Sequence, residues 1–203
     1  MASLEIDTPH GPARAHLEPV AEPAGALVLG HGAGGGVSAP DLVAAARAAG
    51  EAGFTVALVE QPYRVAGRRS PAPVAQLDAA WLAVVAHLRA EALGDVPLVA
   101  GGRSSGARVA CRTAAEAGAV GVLCIAFPVH PPGKPEKTRL PELDAVEVPV
   151  LVVQGDADPF GMPPEAPGRE VVAIRGTHSL RSNLAPLGDA VRGFLAELAG
   201  RPA

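Results

Sequence analysis

The sequence predicts an α/β fold, a mostly parallel central sheet of about seven or eight strands with helices on both faces. Three observations carry this. Short apolar runs alternate along the chain with longer segments of helical periodicity. The runs are apolar throughout rather than at every second residue, as strands buried on both faces must be. The breaks between them are punctuated by glycine and proline, of which the chain has 24 and 21.

Residues 4–7 and 13–18 read as two short strands around a turn at 9–12, an opening hairpin. The apolar run 26–30 is followed at once by Gly32, Gly34, Gly35 and Gly36, and Pro40 then opens a helix to about Ala52. Residues 54–60 form the next buried strand, and 61–73 a loop with Tyr63 and three arginines. A long helix over 74–93 places Leu77, Trp81, Val84, Val85 and Leu88 on one face, which is core. Residues 98–102 are a strand, 105–117 a helix stopped by Gly118, and 120–127 another strand. Strands at 148–154 and 170–174 follow, and a helix over 182–198 closes the chain. There is no internal repeat and no linker.

At 203 residues and 48% hydrophobic content the chain is long enough for one sizeable core, so a single domain over 1–203 is expected. A net charge of −4 gives no cationic excess, which argues against nucleic acid or an anionic membrane surface as the main partner. A small-molecule substrate is easier to accommodate; oligomeric state is left open. Cys111 and Cys124 each sit in an apolar stretch without a Cys-x-x-Cys partner, which favours buried free thiols and a cytoplasmic location. The first ten residues lack a basic region followed by an apolar run, and no apolar stretch reaches membrane-spanning length.

In open α/β sheets ligands bind beyond the carboxyl ends of the strands. There, after the strand ending at Gly102, stands Gly102-Arg103-Ser104-Ser105-Gly106, a Gly-x-Ser-x-Gly between strand and helix. Ser104 would be the tip of a tight, strained turn in which a β-carbon on either flanking glycine would crowd neighbouring backbone. A serine hydroxyl is a poor nucleophile until a base takes its proton, so this reading requires a histidine and an acid at later strand ends. Gly155-Asp156-Ala157-Asp158-Pro159 follows the strand at 148–154, and Gly176-Thr177-His178-Ser179 follows the last strand. Serine, acid, histidine is the chain order of the α/β-hydrolases. Asp158 is chosen over Asp156 because the fold's usual spacing puts the acid three residues beyond the glycine. Asp156 is left to stabilise the turn.

A tetrahedral oxyanion would need two donors. The Ser105 N–H is one by position, and the loop His31-Gly32-Ala33-Gly34-Gly35-Gly36 offers the Ala33 N–H as the second. His31 is read as bracing this loop rather than acting as a base. Residues 30–35 match Gly-x-Gly-x-x-Gly through Gly30, Gly32 and Gly35, and Glu60 ends the next strand as a ribose-binding acid would, so a dinucleotide-binding oxidoreductase is the rival. Against it, a helix starting near Pro40 begins too far beyond the third glycine. No cofactor is expected, and the six histidines show no zinc-ligand spacing.

The Gly-Arg-Ser-Ser-Gly elbow, residues 60–69, the segment 127–135 and the segment 154–161 together resemble the small dienelactone-hydrolase-like proteins. Within them, the sequence is most similar to the branch related to an α/β-hydrolase-like subunit of a chromatin acetyltransferase complex. The resemblance spans roughly residues 5 to 198. It implies an α/β-hydrolase fold with Ser104, Asp158 and His178 as catalytic triad, acting on an ester-like bond, and names no substrate; some relatives bind without catalysing. No cap insertion is expected, since only about twenty residues separate the strands around Phe127 and Val148. Those residues carry His130, Lys134, Lys137 and Arg139 over the same sheet edge as Ser104, Tyr63 and Arg64. They read either as a cationic rim for an anionic substrate group or as a solvated loop. His31, Tyr63, Arg103, His130 and Lys134 are the candidate substrate contacts.

Overall fold

Among the described residues, 2–200 of a computed structural model, the strands are β1 (Ala2–Ile6), β2 (Ala13–Glu18), β3 (Gly25–Gly30), β4 (Phe54–Glu60), β5 (Leu98–Arg103), β6 (Gly121–Ile125), β7 (Val150–Gly155) and β8 (Arg169–Ile174). The helices are α1 (Pro40–Glu51), α2 (Pro62–Val65), α3 (Val74–Leu88, continued by a π turn over Arg89–Leu93), α4 (Ser105–Thr113), α5 (Leu140–Asp144) and α6 (Ala185–Ala199). All eight strands join one sheet in the order β1-β2-β4-β3-β5-β6-β7-β8. The β1–β2 hairpin is antiparallel and β2 lies antiparallel on β4; every other pairing is parallel.

Both faces of the sheet are covered, and this is why the strands carry no polar alternation. Successive side chains of a strand point to opposite faces. In β3, Leu27 and Leu29 pack with Leu42, Ala45 and Ala49 of α1 and Leu187, Val191 and Leu195 of α6. Ala26 and Val28 turn the other way, toward Trp81, Val84 and Leu88 of α3 and Ala107 and Ala110 of α4. Each leucine or valine so enclosed contributes about 1.5–3 kcal/mol relative to exposure.

The strand order creates the site. From β3 the chain moves outward to β4, then crosses back over β3 to β5 and continues the other way to β6. The loops leaving β3 and β5 therefore diverge at adjacent strands, which opens a crevice at their carboxyl ends. The elements differ from the sequence reading in several details, β6 and β7 being shorter or shifted by a residue or two. The segments 61–73 and 128–147, read as loops, contain the short helices α2 and α5, too brief to show a period. Regular helix in α4 ends at Thr113, ahead of the predicted Ala117, and α6 starts at Ala185 rather than Ser182. The β6–β7 connection holds only the five-residue α5 and no cap. No helix of the described residues is long and apolar enough to cross a membrane.

Candidate active site

Ser104 sits between β5 and α4 with φ 53° and ψ −106°, a left-handed conformation that costs a non-glycine residue about 1–3 kcal/mol. Surrounding backbone enforces it. The Ser104 N–H donates to the Ile125 carbonyl at 2.9 Å, and the Arg108 N–H donates to the Ser104 carbonyl at 3.2 Å. A Cβ on Gly102 would lie 2.5 Å from the Gly30 oxygen and 2.7 Å from the Gly106 carbonyl carbon; one on Gly106 would overlap the Gly30 carbonyl. The elbow is thus pressed against the end of β3, with no room for a methyl group at either glycine.

The candidate acid and base come from the ends of the last two strands, β7 and β8. His178 Nε2 is 2.9 Å from Ser104 Oγ, and its Nδ1 is 2.8 Å from Asp158 Oδ2. The Asp158 side chain is 1% exposed, and both of its carboxylate oxygens accept hydrogen bonds. Oδ2 also accepts from Gln154 Nε2 at 2.8 Å, and Oδ1 accepts the Phe160 N–H at 2.8 Å. Asp156 is exposed and accepts the Gly176 N–H at 3.0 Å, which ties the β7 end to the loop carrying His178. The Phe160 ring lies 4.0 Å from the imidazole, centroid to centroid, with a 30° tilt.

The loop after β3 presents Ala33. The backbone N–H of Gln61 donates to His31 Nε2 at 3.1 Å, so that nitrogen must be the unprotonated one. The proton then sits on Nδ1 and is donated to the Gly32 carbonyl at 2.8 Å. Burial lowers the His31 pKa, outweighing the opposing effect of that hydrogen bond, and keeps the ring neutral. The Gly32 carbonyl also accepts from the Gly35 N–H at 3.1 Å. Because a trans peptide points its C=O and N–H oppositely, fixing this carbonyl aims the Ala33 N–H away from His31. The buried Tyr63 donates its hydroxyl to the Ala33 carbonyl at 2.9 Å, and burial pushes its pKa up to about 12. The Ser105 N–H belongs to the first turn of α4, whose donors have no intrahelical acceptor.

A cavity of about 590 Å³ opens here, lined by Ala33, Ser104, Ser105, His178, Phe160 and Arg103 among others. His31, Tyr63, His130 and Lys134 are not among the residues that line it. The first two brace the Ala33 loop, the candidate oxyanion loop, from behind. His130 bonds the Pro131 carbonyl through Nδ1 and packs under Gly161, and Lys134 is exposed. The cations of the cavity are instead Arg103, Arg108, Arg139 and Arg181. Arg108 is engaged by Glu142 of α5. Burial, reinforced by Arg108, lowers the Arg139 pKa. Sequence reasoning also missed Gln154, hidden in an apolar strand, and Phe160. Glu60, the acid of the dinucleotide rival, bonds His16 at 3.0 Å and faces Arg14. The third glycine of that motif precedes the helix start at Pro40 by a stretch of loop.

A family model for the alpha/beta hydrolase domain matches residues 23–181. The chain belongs to the alpha/beta hydrolase domain family. No curated protein matches it. Solved structures share the alpha/beta hydrolase fold over essentially the whole chain. An α/β serine hydrolase without lid from Xanthomonas campestris superposes with a TM-score of 0.77 at 24% identity, covering 100% of this chain and 96% of its own. Est1E from Butyrivibrio proteoclasticus gives 0.76 at 18%, covering 99% and 100%. A dienelactone hydrolase from Anabaena variabilis gives 0.72 at 17%, covering 97% and 95%.

Proposed function

We propose that this alpha/beta hydrolase is a serine hydrolase that cleaves a carboxyl ester-like bond of a small substrate through an acyl-enzyme. The observation that carries the reading is the continuous hydrogen-bonded chain from Ser104 Oγ through His178 to the buried Asp158, on the wall of the cavity. In the proposed cycle Ser104 Oγ attacks the carbonyl carbon while its proton passes to His178 Nε2. Asp158 holds the Nδ1–H and stabilises the imidazolium. The oxyanion is met by the Ala33 and Ser105 N–H groups, each such donor being worth about 10²–10³-fold in rate. Collapse breaks the bond to the leaving alcohol, which takes the proton from Nε2. Water, deprotonated by the same nitrogen, then releases the acid and regenerates Ser104.

The cavity volume of about 590 Å³ suits a small substrate. Esterase and dienelactone hydrolase neighbours support ester chemistry, as does the resemblance to the dienelactone-hydrolase-like proteins. The free thiols Cys111 and Cys124, buried with Sγ atoms 3.4 Å apart, fit a reducing compartment, and the cytoplasm is the proposed location. The test is incubation with a fluorophosphonate probe followed by peptide mapping. A covalent adduct on Ser104 is expected; folded protein that stays unlabelled would mark a fold kept for binding.

A further inference from the structure

Arg103 was a candidate substrate contact, yet two of its three nitrogens are used inside the protein. Its Nε donates to Asp41 Oδ2 at 2.8 Å. Its Nη2 donates to the His178 backbone carbonyl at 2.9 Å and approaches Ser179 Oγ at 3.4 Å. The third nitrogen, Nη1, lies against the oxyanion loop, where a Cβ on Gly32 would be 2.6 Å away. Asp41, in the first turn of α1, is 1% exposed, and the Arg103 side chain is 14% exposed. The pair bridges 62 residues of sequence.

The segment it holds is otherwise tied down two residues upstream, where the Gly176 N–H donates to Asp156 and the Gly176 carbonyl accepts from the Ala157 N–H. His178 lies in the irregular segment between β8 and α6. Among the described residues, its backbone makes no hydrogen bond besides the one from Arg103. The imidazole is fixed at both ring nitrogens, but by bonds of 2.8 and 2.9 Å that exist only while the backbone is in register. A guanidinium suits the task because its planar fork directs two donors at once, whereas an ammonium is a single point charge on a flexible stem. A buried carboxylate anchoring that fork keeps it from swinging into the cavity.

We propose that Arg103 is a positioning residue, clamped by Asp41, that holds the His178 backbone so that the imidazole meets Ser104 in line. The proposal rests on the reading of His178 as the general base. Displacing a reacting group by about 1 Å can cost about 10²-fold in rate, which sets the expected size of the effect.

The experiment compares wild type with Arg103→Lys and with the double variant Arg103→Met/Asp41→Leu. Arg103→Met alone would strand a buried carboxylate and unfold the chain for an unrelated reason. The double variant replaces the ion pair with apolar side chains and recovers the thermal midpoint. Three readings are taken: kcat and KM on a nitrophenyl ester, the thermal midpoint, and the downfield proton resonance of His178 Nδ1–H. Both variants are expected to lose about 10–100-fold in kcat with KM within about threefold, and to broaden or lose the resonance. A double variant that folds with wild-type kcat and an intact resonance overturns the proposal. So does a raised KM at unchanged kcat, which would return Arg103 to substrate contact. The resonance needs no turnover: were wild type to hydrolyse no ester and Ser104 to stay unlabelled, the proposed function would fail while the resonance still decided the clamp.

Discussion

The elbow at Ser104 is held by backbone pressed on backbone, whereas the loops carrying Asp158 and His178 add a set of side-chain bonds to the backbone contact of Gly155 with Gly176 and Thr177. At the elbow, Gly102 and Gly106 meet the Gly30 carbonyl with no space for a methyl group, and the strained φ of Ser104 is imposed by this contact. Gln154, Phe160, Asp156 and Arg103 supply the bonds and the ring contact that orient Asp158 and His178. The difference teaches where each half is vulnerable. The elbow has no room for added volume at Gly102 or Gly106, while the Asp158 and His178 loops are exposed both to added volume at Gly155 and to removal of a polar atom.

The largest effect is expected on the side-chain half. Asp158→Asn replaces the acceptor of the Nδ1–H with a group that can present a donor, and should lower kcat/KM by up to about 10⁴-fold. Asp156→Asn can still accept the Gly176 N–H through its amide oxygen and should stay within about tenfold of wild type. Ester kinetics on the two variants decide the assignment, and a severe loss confined to Asp156→Asn would reverse it. On the backbone half, Gly106→Ala should destabilise the fold by roughly 1–3 kcal/mol or more through overpacking against Gly30. Denaturant unfolding measures this, and a variant of wild-type stability would break the contrast between the two halves.

The smallest effect concerns the brace behind the Ala33 loop. His31 is neutral in the fold with its pKa lowered by burial, while in the unfolded chain it titrates near the ordinary value of about 6.5. Between those two values the unfolded chain binds the extra proton, so stability falls as pH drops below about 6.5 and levels off beneath the folded value. The His31→Gln variant lacks this component. The stability gap between wild type and variant should therefore narrow on acidification, and a gap independent of pH would mean that His31 does not titrate on unfolding.

The parts of this molecule legible in sequence are those with a local cause. Strands buried on both faces announce themselves as unbroken apolar runs, and an elbow glycine is visible because nothing larger fits. Ser104, Asp158 and His178 were nominated by position after strand ends, and the structure brings those three within hydrogen-bond distance. What stayed hidden depends on partners far apart in sequence. Gln154 reads as an ordinary core position until its amide is seen on Asp158, and the Arg103–Asp41 pair has no local signal at all. The short helix α5 lacks a period, yet its Glu142 engages Arg108 and Arg112 of α4. The loop charges divide between the two readings, a cationic rim and a solvated loop: Lys134 is exposed to solvent, while Arg139 lines the cavity.

The most direct measurement is the pre-steady-state release of nitrophenol from a nitrophenyl ester, in wild type and in Ser104→Ala. A serine acyl-enzyme predicts a burst approaching one equivalent per chain whenever deacylation is the slower step, absent from a Ser104→Ala protein of unchanged thermal midpoint. A burst or a wild-type steady rate surviving in Ser104→Ala would contradict the assignment of Ser104 as the nucleophile.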